Sequence, residues 1–178
     1  MKILFIDTYY SGFLSSFRKK FPSVYKKTYE NQLKLLLAQD FGTSDFFSYN
    51  LNKLGWNAKD VIANDEILQR KWAEEKNIKI KNSGLIAKLQ SLPYIHRFIG
   101  KPTWTQEIAL AQVKDFKPDI VYMQDLSILN PETLKLVKKE CKLLVGQIAC
   151  PLPPKENLKC FDLIITSFPH YVNIFKKI

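Results

Sequence analysis

Lys117-Pro118-Asp119-Ile120-Val121-Tyr122-Met123-Gln124-Asp125 is the stretch on which the reading of this chain turns. A proline that cannot sit inside a helix and Asp119 behind it are followed by four apolar residues, Ile120 to Met123, and these stop at an amide and a carboxylate. A run this short, apolar on successive rather than alternate residues, is the pattern of a parallel strand buried beneath helices on both faces. Asp125, directly behind such a strand, then projects at its carboxyl end.

The same pattern recurs on either side. Short runs rich in Ile, Leu and Val occupy residues 3–7, 58–63, 142–149 and 162–167, with 119–124 the third of five. Helical periodicity fills the intervals at residues 28–39, 44–54, 65–76, 103–116, 131–139 and 169–177. Strands alternating with helices predict an α/β fold, a three-layer Rossmann-like doubly wound parallel sheet of about five strands in the order 3-2-1-4-5. Asn130-Pro131 supplies an N-cap and a first-turn proline, and Leu54-Gly55-Trp56 ends a helix at a glycine. The helix over 103–116 is expected to bury Trp104, Ile108 and Ala111 against the sheet. Residues 78–101, a basic stretch with Ser83-Gly84 and Pro93, read as an insertion with room for one short helix at 85–92.

The 178 residues suit one domain, 1–178, and a composition 46% apolar and 25% charged is that of a globular protein. No apolar run approaches the roughly 20 residues that a membrane span needs, so the chain is expected to be soluble. Met1-Lys2-Ile3-Leu4-Phe5-Ile6-Asp7 begins like a signal peptide but ends at once in Asp7, without a small-residue cleavage site, and reads as the first strand. Cys141, Cys150 and Cys160 are odd in number and widely spaced, which suggests neither a disulfide framework nor a CxxC site and fits a reducing cytoplasm. The net charge of +10 favours anionic partners. The lysines are spread over helix faces, so no specific nucleic-acid role is expected, and contact with an anionic membrane would be peripheral at most.

Phosphate-gripping signatures are missing. There is no GxGxxG behind the first strand and no GxxxxGK[ST], which argues against a dinucleotide dehydrogenase and a P-loop NTPase. A receiver domain needs paired acids at the first strand end and a lysine at the last, whereas Asp7 stands alone and the last strand ends in Thr166-Ser167. No His, Cys or carboxylate set stands at metal-ligand spacing, and no cofactor is expected.

Position supplies the remaining candidates, because ligands of open parallel sheets bind outside the carboxyl ends of the strands where the winding reverses. The expected order puts that reversal between the first and fourth strands. The loops there are Thr8-Tyr9-Tyr10-Ser11-Gly12-Phe13-Leu14 and Cys150-Pro151-Leu152-Pro153-Pro154, joined at the rim by Gln124-Asp125 and Ser167-Phe168-Pro169-His170. Tyr9 and Tyr10 either stack on a sugar or base or pack on a neighbour, and Gly12 lets backbone approach a ligand. Thr43-Ser44-Asp45 beside Gly42 either caps a helix or receives an anion at its N-terminus. Asp125 is a candidate general base or hydroxyl-binding carboxylate, or else it caps the turn into Leu126. His170 offers an imidazole after the last strand, while His96 beside Arg97 reads as a surface or packing residue.

Several segments in this order resemble one family: Lys2 to Asp7; Thr28-Tyr29-Glu30-Asn31-Gln32; Phe46 to Trp56; Asn64 with Leu68 to Ala73; Lys117 to Asp125; Gly146-Gln147-Ile148; and Phe161 to Ser167. Together they resemble the N-terminal domain of a glycosyltransferase of the two-Rossmann (GT-B) architecture, in the CgeB-like or family-1-like group. The resemblance implies an acceptor-side half, with a C-terminal Rossmann-like domain, missing here, holding most of a nucleotide-sugar donor, and a glycan or other acceptor in the cleft. Asp125 and His170 are then the implied catalytic residues. Thr8, Tyr9, Tyr10, Ser11, Gly12, Asp45, Gln124, Pro151 and Ser167 are the implied substrate-binding set. The glycine-rich first loop common among relatives is replaced here by Thr8-Tyr9-Tyr10-Ser11-Gly12. The alternative is a free-standing, non-catalytic Rossmann-like module that binds a protein, phosphate or nucleotide.

Overall fold

The computed structural model describes residues 1–80 and 103–178. The expected helix at 85–92, and with it Pro93, His96 and Arg97, lies outside the described residues. Five strands, β1 (Lys2–Asp7), β2 (Asn57–Ile62), β3 (Ile120–Met123), β4 (Leu143–Ile148) and β5 (Leu163–Thr166), form one all-parallel sheet. Around it lie α1 (Ser11–Lys20), a 3-10 turn (Pro22–Lys26), α2 (Tyr29–Leu37), α3 (Phe46–Lys53), α4 (Glu66–Glu75), α5 (Thr103–Phe116), α6 (Pro131–Lys139), α7 (Lys155–Leu158) and α8 (Pro169–Phe175). This is the Rossmann-like α/β class expected from the pattern.

The strand order is 2-1-3-4-5, not 3-2-1-4-5. Burial explains the difference. In the expected order β3 would be an edge, yet Val121 and Met123 are wholly buried and β3 is flanked by β1 and β4. The strand that tolerates an edge is β2, whose sequence Asn57-Ala58-Lys59-Asp60 carries three polar residues. The reversal of winding therefore falls between β1 and β3, where Ile3 pairs with Ala58 on one side and Ile120 on the other.

The two faces of the sheet are covered unequally. On one, Leu4, Ile6, Val121, Met123, Leu144 and Ile148 pack under α5 and α6 through Val113, Phe116, Leu134 and Val137. Gly146 of β4 keeps this face close-packed, since a Cβ there would lie 3.0 Å from the side chains of Leu126 and Phe161. On the other, Ile3, Phe5 and Ala58 pack with Phe47 and Leu51 of α3 and with Trp56, Ile120 and Tyr122, with Phe5 and Phe47 stacked at 5.6 Å. Beyond Tyr122, whose hydroxyl donates to Gln147 Oε1 at 2.6 Å, this face runs out to Leu163 and Ile165, which are 48% and 43% exposed.

A further cluster closes the carboxyl ends of β1 and β2. Tyr9 and Phe17 pack there with Leu33 and Leu36 of α2, Leu68 and Trp72 of α4, and Trp104 and Ile108 of α5. The expected burial of Trp104 and Ile108 is found, and Ala111 is half-buried. Arg18 of α1 forms a buried ion pair with Asp65, which also caps α4 by accepting from Leu68 N at 3.2 Å. Asn130 caps α6 through Thr133 N at 2.8 Å, and Gly55 ends α3 with φ +82°. No helix among the described residues is long and apolar enough to cross a membrane.

Candidate functional site

The reversal between β1 and β3 brings Asp7, Thr8, Gln124 and Asp125 together at one point. Gln124 N donates to Ile6 O at 3.0 Å, so the β1–β3 ladder runs to the mouth of the crevice. One residue further, Thr8 Oγ1 donates to Asp125 Oδ2 at 3.1 Å across 117 residues of sequence. Asp125 Oδ1 accepts from Ser127 N at 2.8 Å, so this carboxylate closes its own turn while its other oxygen faces Thr8. Gln124 is held outward from the sheet by Thr43, through Gln124 Nε2 at 2.9 Å.

Asp7 completes the site and escapes a reading that treats each strand end alone. Its Oδ1 accepts from Thr8 N at 2.7 Å, and burial holds its carboxyl above the usual carboxylate range, opposed by that hydrogen bond and reinforced by the nearby charge of Asp125. The acid that pairs with Asp7 comes from the third strand, not from the next position in sequence. The signal available was that both apolar runs, Ile3 to Ile6 and Ile120 to Met123, end in acids within two residues. Asn64 is a second addition: its Oδ1 accepts from Tyr9 N at 2.9 Å and its Nδ2 donates to Tyr9 O at 2.7 Å, which clamps the loop from the end of β2.

The first loop divides sharply. Tyr9 is 2% exposed, edge-on to Phe13 and Phe41, and its hydroxyl is buried without a hydrogen bond; it is a core residue, and its phenol is held in the neutral form by burial and by the acids Asp7, Asp60 and Asp45. Tyr10 is 79% exposed and is the ring this loop presents to solvent. Ser11 and Gly12, both exposed, are the first two residues of α1, and Gly12 has open space around the position of a Cβ. Tyr10 makes no side-chain cap, and the first helical hydrogen bond is Leu14 N to Tyr10 O, so the N–H groups of Ser11, Gly12 and Phe13 have no partner within the helix.

The other expected residues are distributed along the sheet. Pro151 is exposed beyond β4, one strand further than Asp125. Ser167 and His170 lie beyond β5, two strand spacings or about 10 Å across the sheet from the end of β3. His170 is exposed, stacked on Phe168 and edge-on to Tyr171, whose hydroxyl donates to Cys150 O at 3.1 Å. The loops beyond β1 and β3 thus bring Thr8 and Asp125 into contact, with Gln124 beside Asp125 and Tyr10, Ser11 and Gly12 following Thr8 in sequence, while Pro151, Ser167 and His170 lie beyond β4 and β5. Asp45 is the N-cap residue of α3 without a side-chain cap bond and faces a separate cavity along β2.

Electrostatics sorts the ligands this crevice suits. The free N–H groups of α1 favour an anion by about 0.3–1 kcal/mol. Two charges about 5 Å apart near a protein surface interact by roughly 3 kcal/mol, so a phosphate held that close to the Asp125 carboxylate loses more than the helix end supplies. They suit hydroxyl donors instead, with Tyr10 as an apolar platform beside them. Among the described residues no group of three or more His, Cys, Asp or Glu side chains is placed to hold a metal ion. No family model, curated protein or solved structure matches the chain, so what identifies it is its architecture: a Rossmann-like α/β domain with an acidic crevice at the β1–β3 switch point.

Proposed function

We propose that this chain is the acceptor-side, N-terminal domain of a glycosyltransferase that moves a sugar from a nucleotide-sugar donor to a hydroxyl-bearing acceptor, the donor being held mainly by a second Rossmann-like domain. The observation that carries the reading is the Thr8–Asp125 hydrogen bond at the switch point, with Asp7 beside it. A carboxylate that already accepts a hydrogen bond from a hydroxyl is arranged to accept one from a sugar hydroxyl. In an inverting transfer, Asp125 Oδ2 exchanges the Thr8 hydroxyl for the acceptor hydroxyl and receives its proton as the acceptor oxygen bonds to the anomeric carbon and that carbon's bond to the donor's phosphate oxygen breaks, the nucleotide leaving with the electron pair. In a retaining transfer the same oxygen orients the acceptor. The free thiols of Cys141, Cys150 and Cys160 fit a reducing compartment, and we place the protein in the cytoplasm.

The test is an NMR titration of the isotopically labelled chain with simple glycans and with nucleotide sugars. Glycans are expected to shift the amides of Thr8, Tyr10 and Asp125, with nucleotide sugars at least tenfold weaker. Asp125→Asn should weaken the glycan response by about tenfold, the scale of one charge-assisted hydrogen bond. A stronger response to nucleotide sugars than to glycans would overturn the reading. The uncovered apolar face around Leu163 and Ile165 favours a second reading, a non-catalytic module that binds a protein. That reading gains if neither ligand class shifts the crevice.

A further inference from the structure

A cavity separate from the switch point lies at the β2 edge of the sheet. It runs along the outer side of β2 with a volume of about 570 Å³, which is the size range of small-ligand sites. α3 forms one wall, and α2, α4 and α5 form the other. Its lining combines an apolar and aromatic bed, including Leu33, Leu37, Trp72 and Phe116, with Asp60 of β2. Five carboxylates and three lysines line it, an acidic excess in a chain whose net charge is +10.

Asp60 has too few hydrogen-bond donors to be comfortable as an anion. Its partner is Ser48 Oγ of α3, and that single hydroxyl proton has a second acceptor in Asp45 O at 3.1 Å. If Asp60 is protonated, the conflict resolves: Asp60 donates to Ser48 Oγ, and Ser48 donates to Asp45 O. Burial pushes the Asp60 carboxyl up to about 7, against the Ser48 hydrogen bond and with help from Asp45 and Asp7. Two of the three lysines in the lining are engaged elsewhere, Lys76 with Asp115 at 3.0 Å and Lys59 over the Phe116 ring at 5.3 Å, and the third, Lys34, is exposed. A second, independent feature also calls for a donor. Gln112, 4% exposed and part of the wall, donates to Tyr29 Oη at 3.3 Å while its Oε1 has no partner.

We propose that the β2 edge carries a binding site for a small organic cation with an apolar body, its charged N–H donors anchored on Asp60 and its body lying against Trp72, Leu33 and Leu37. The pocket lacks a buried cation and has unfilled acceptors beside an apolar bed, and such a ligand supplies both deficits at once. An anionic or purely apolar molecule supplies neither. The site stands apart from the crevice and does not depend on the glycosyltransferase reading.

The probes are benzamidine, its neutral counterpart benzamide and the anion benzoate, each titrated into the isotopically labelled chain and followed by NMR. Benzamidine is expected to shift the Ser48 and Asp60 amides and the Trp72 indole, with benzamide and benzoate at least tenfold weaker. Asp60→Asn, close to isosteric, should weaken benzamidine at least tenfold. Ala38→Trp, at the exposed rim, should abolish its binding by filling the mouth. Equal affinity for the three probes, shifts confined to the Thr8 and Asp125 loops, or no response at about 10 mM would overturn the proposal. Unchanged benzamidine affinity in folded Ala38→Trp would overturn it even if Asp60→Asn failed to fold.

Discussion

The two edges of the sheet are finished by opposite means. At β2 the outward strand carries Lys59 and Asp60, is wrapped by helices on both sides and is backed by the buried Arg18–Asp65 pair. At β5 the strand has four residues, Leu163 and Ile165 face solvent, and α8 behind it has no buried residue. Charged side chains and a cover are standard protection for an exposed ladder, and β2 has both, while β5 carries no charged residue and, among the described residues, has a helix on the Ile164 face only. The two edges thus differ in where the buried polar groups that need precise partners lie, with the Arg18–Asp65 pair and Asp60 at the β2 end.

The largest expected effect probes the β2 end. Asp65→Ala leaves Arg18 buried without its counter-ion and removes the α4 cap, so it should cost about 3–5 kcal/mol in urea unfolding. A loss below about 1 kcal/mol would erase the contrast between the edges.

Asp60 comes next and has a sign of its own. Its folded-state value of about 7 stands above the ordinary 3.8, so the folded state holds the proton more tightly than the unfolded chain. That contribution to stability is complete below about pH 4 and is lost as pH rises through 7. The loss is at most about 4 kcal/mol, taking about 3 units at 1.36 kcal/mol each. Asp60→Asn should flatten the stability profile between pH 4 and 8, measured by urea unfolding across that range. A slope equal to the wild type's would remove Asp60 as its source.

The β5 end is probed on its two faces. Gly146→Ala, on the close-packed face, drives a methyl group within 3.0 Å of Leu126 and Phe161 and should cost about 1–3 kcal/mol by thermal unfolding. Leu163→Ser and Ile165→Thr, on the open face, should each change stability by no more than about 0.5 kcal/mol. Equal losses on the two faces would mean that the open face is covered by something these side chains already contact.

Much of the architecture was legible because the strands are dense in β-branched and apolar residues and the helices carry explicit punctuation, Asn130-Pro131 and Gly55 among them. The helix α1 was read as a loop for the opposite reason. Ser11-Gly12 opens it without a capping side chain, and Ser15-Ser16 dilutes its pattern, although Phe13, Phe17 and Phe21 stand four residues apart on one face. The short α7 has only four residues and no periodicity to show. Strand order was not legible because it depends on which strand can bear an edge, and the polar content of Asn57-Ala58-Lys59-Asp60 decides that only when weighed against every other strand. The crevice inherited this uncertainty: Asp125 was visible as a strand-end acid, but its partners Thr8 and Asp7 depended on β1 and β3 being neighbours.

That adjacency has a consequence for the chain as it leaves the ribosome. β1 is made before β3 and lies inside the sheet, so that its second neighbour begins only at Ile120. At roughly 5–20 residues per second, the interval between the end of β2 at Ile62 and that point lasts on the order of 3–12 s. During it Leu4 and Ile6 have no α5 or β3 to cover them. The nascent β1–β2 segment therefore passes through a window in which a ready-made apolar strand stands open, where a chaperone that covers it, or faster translation downstream of Ile62, would raise the yield of folded protein.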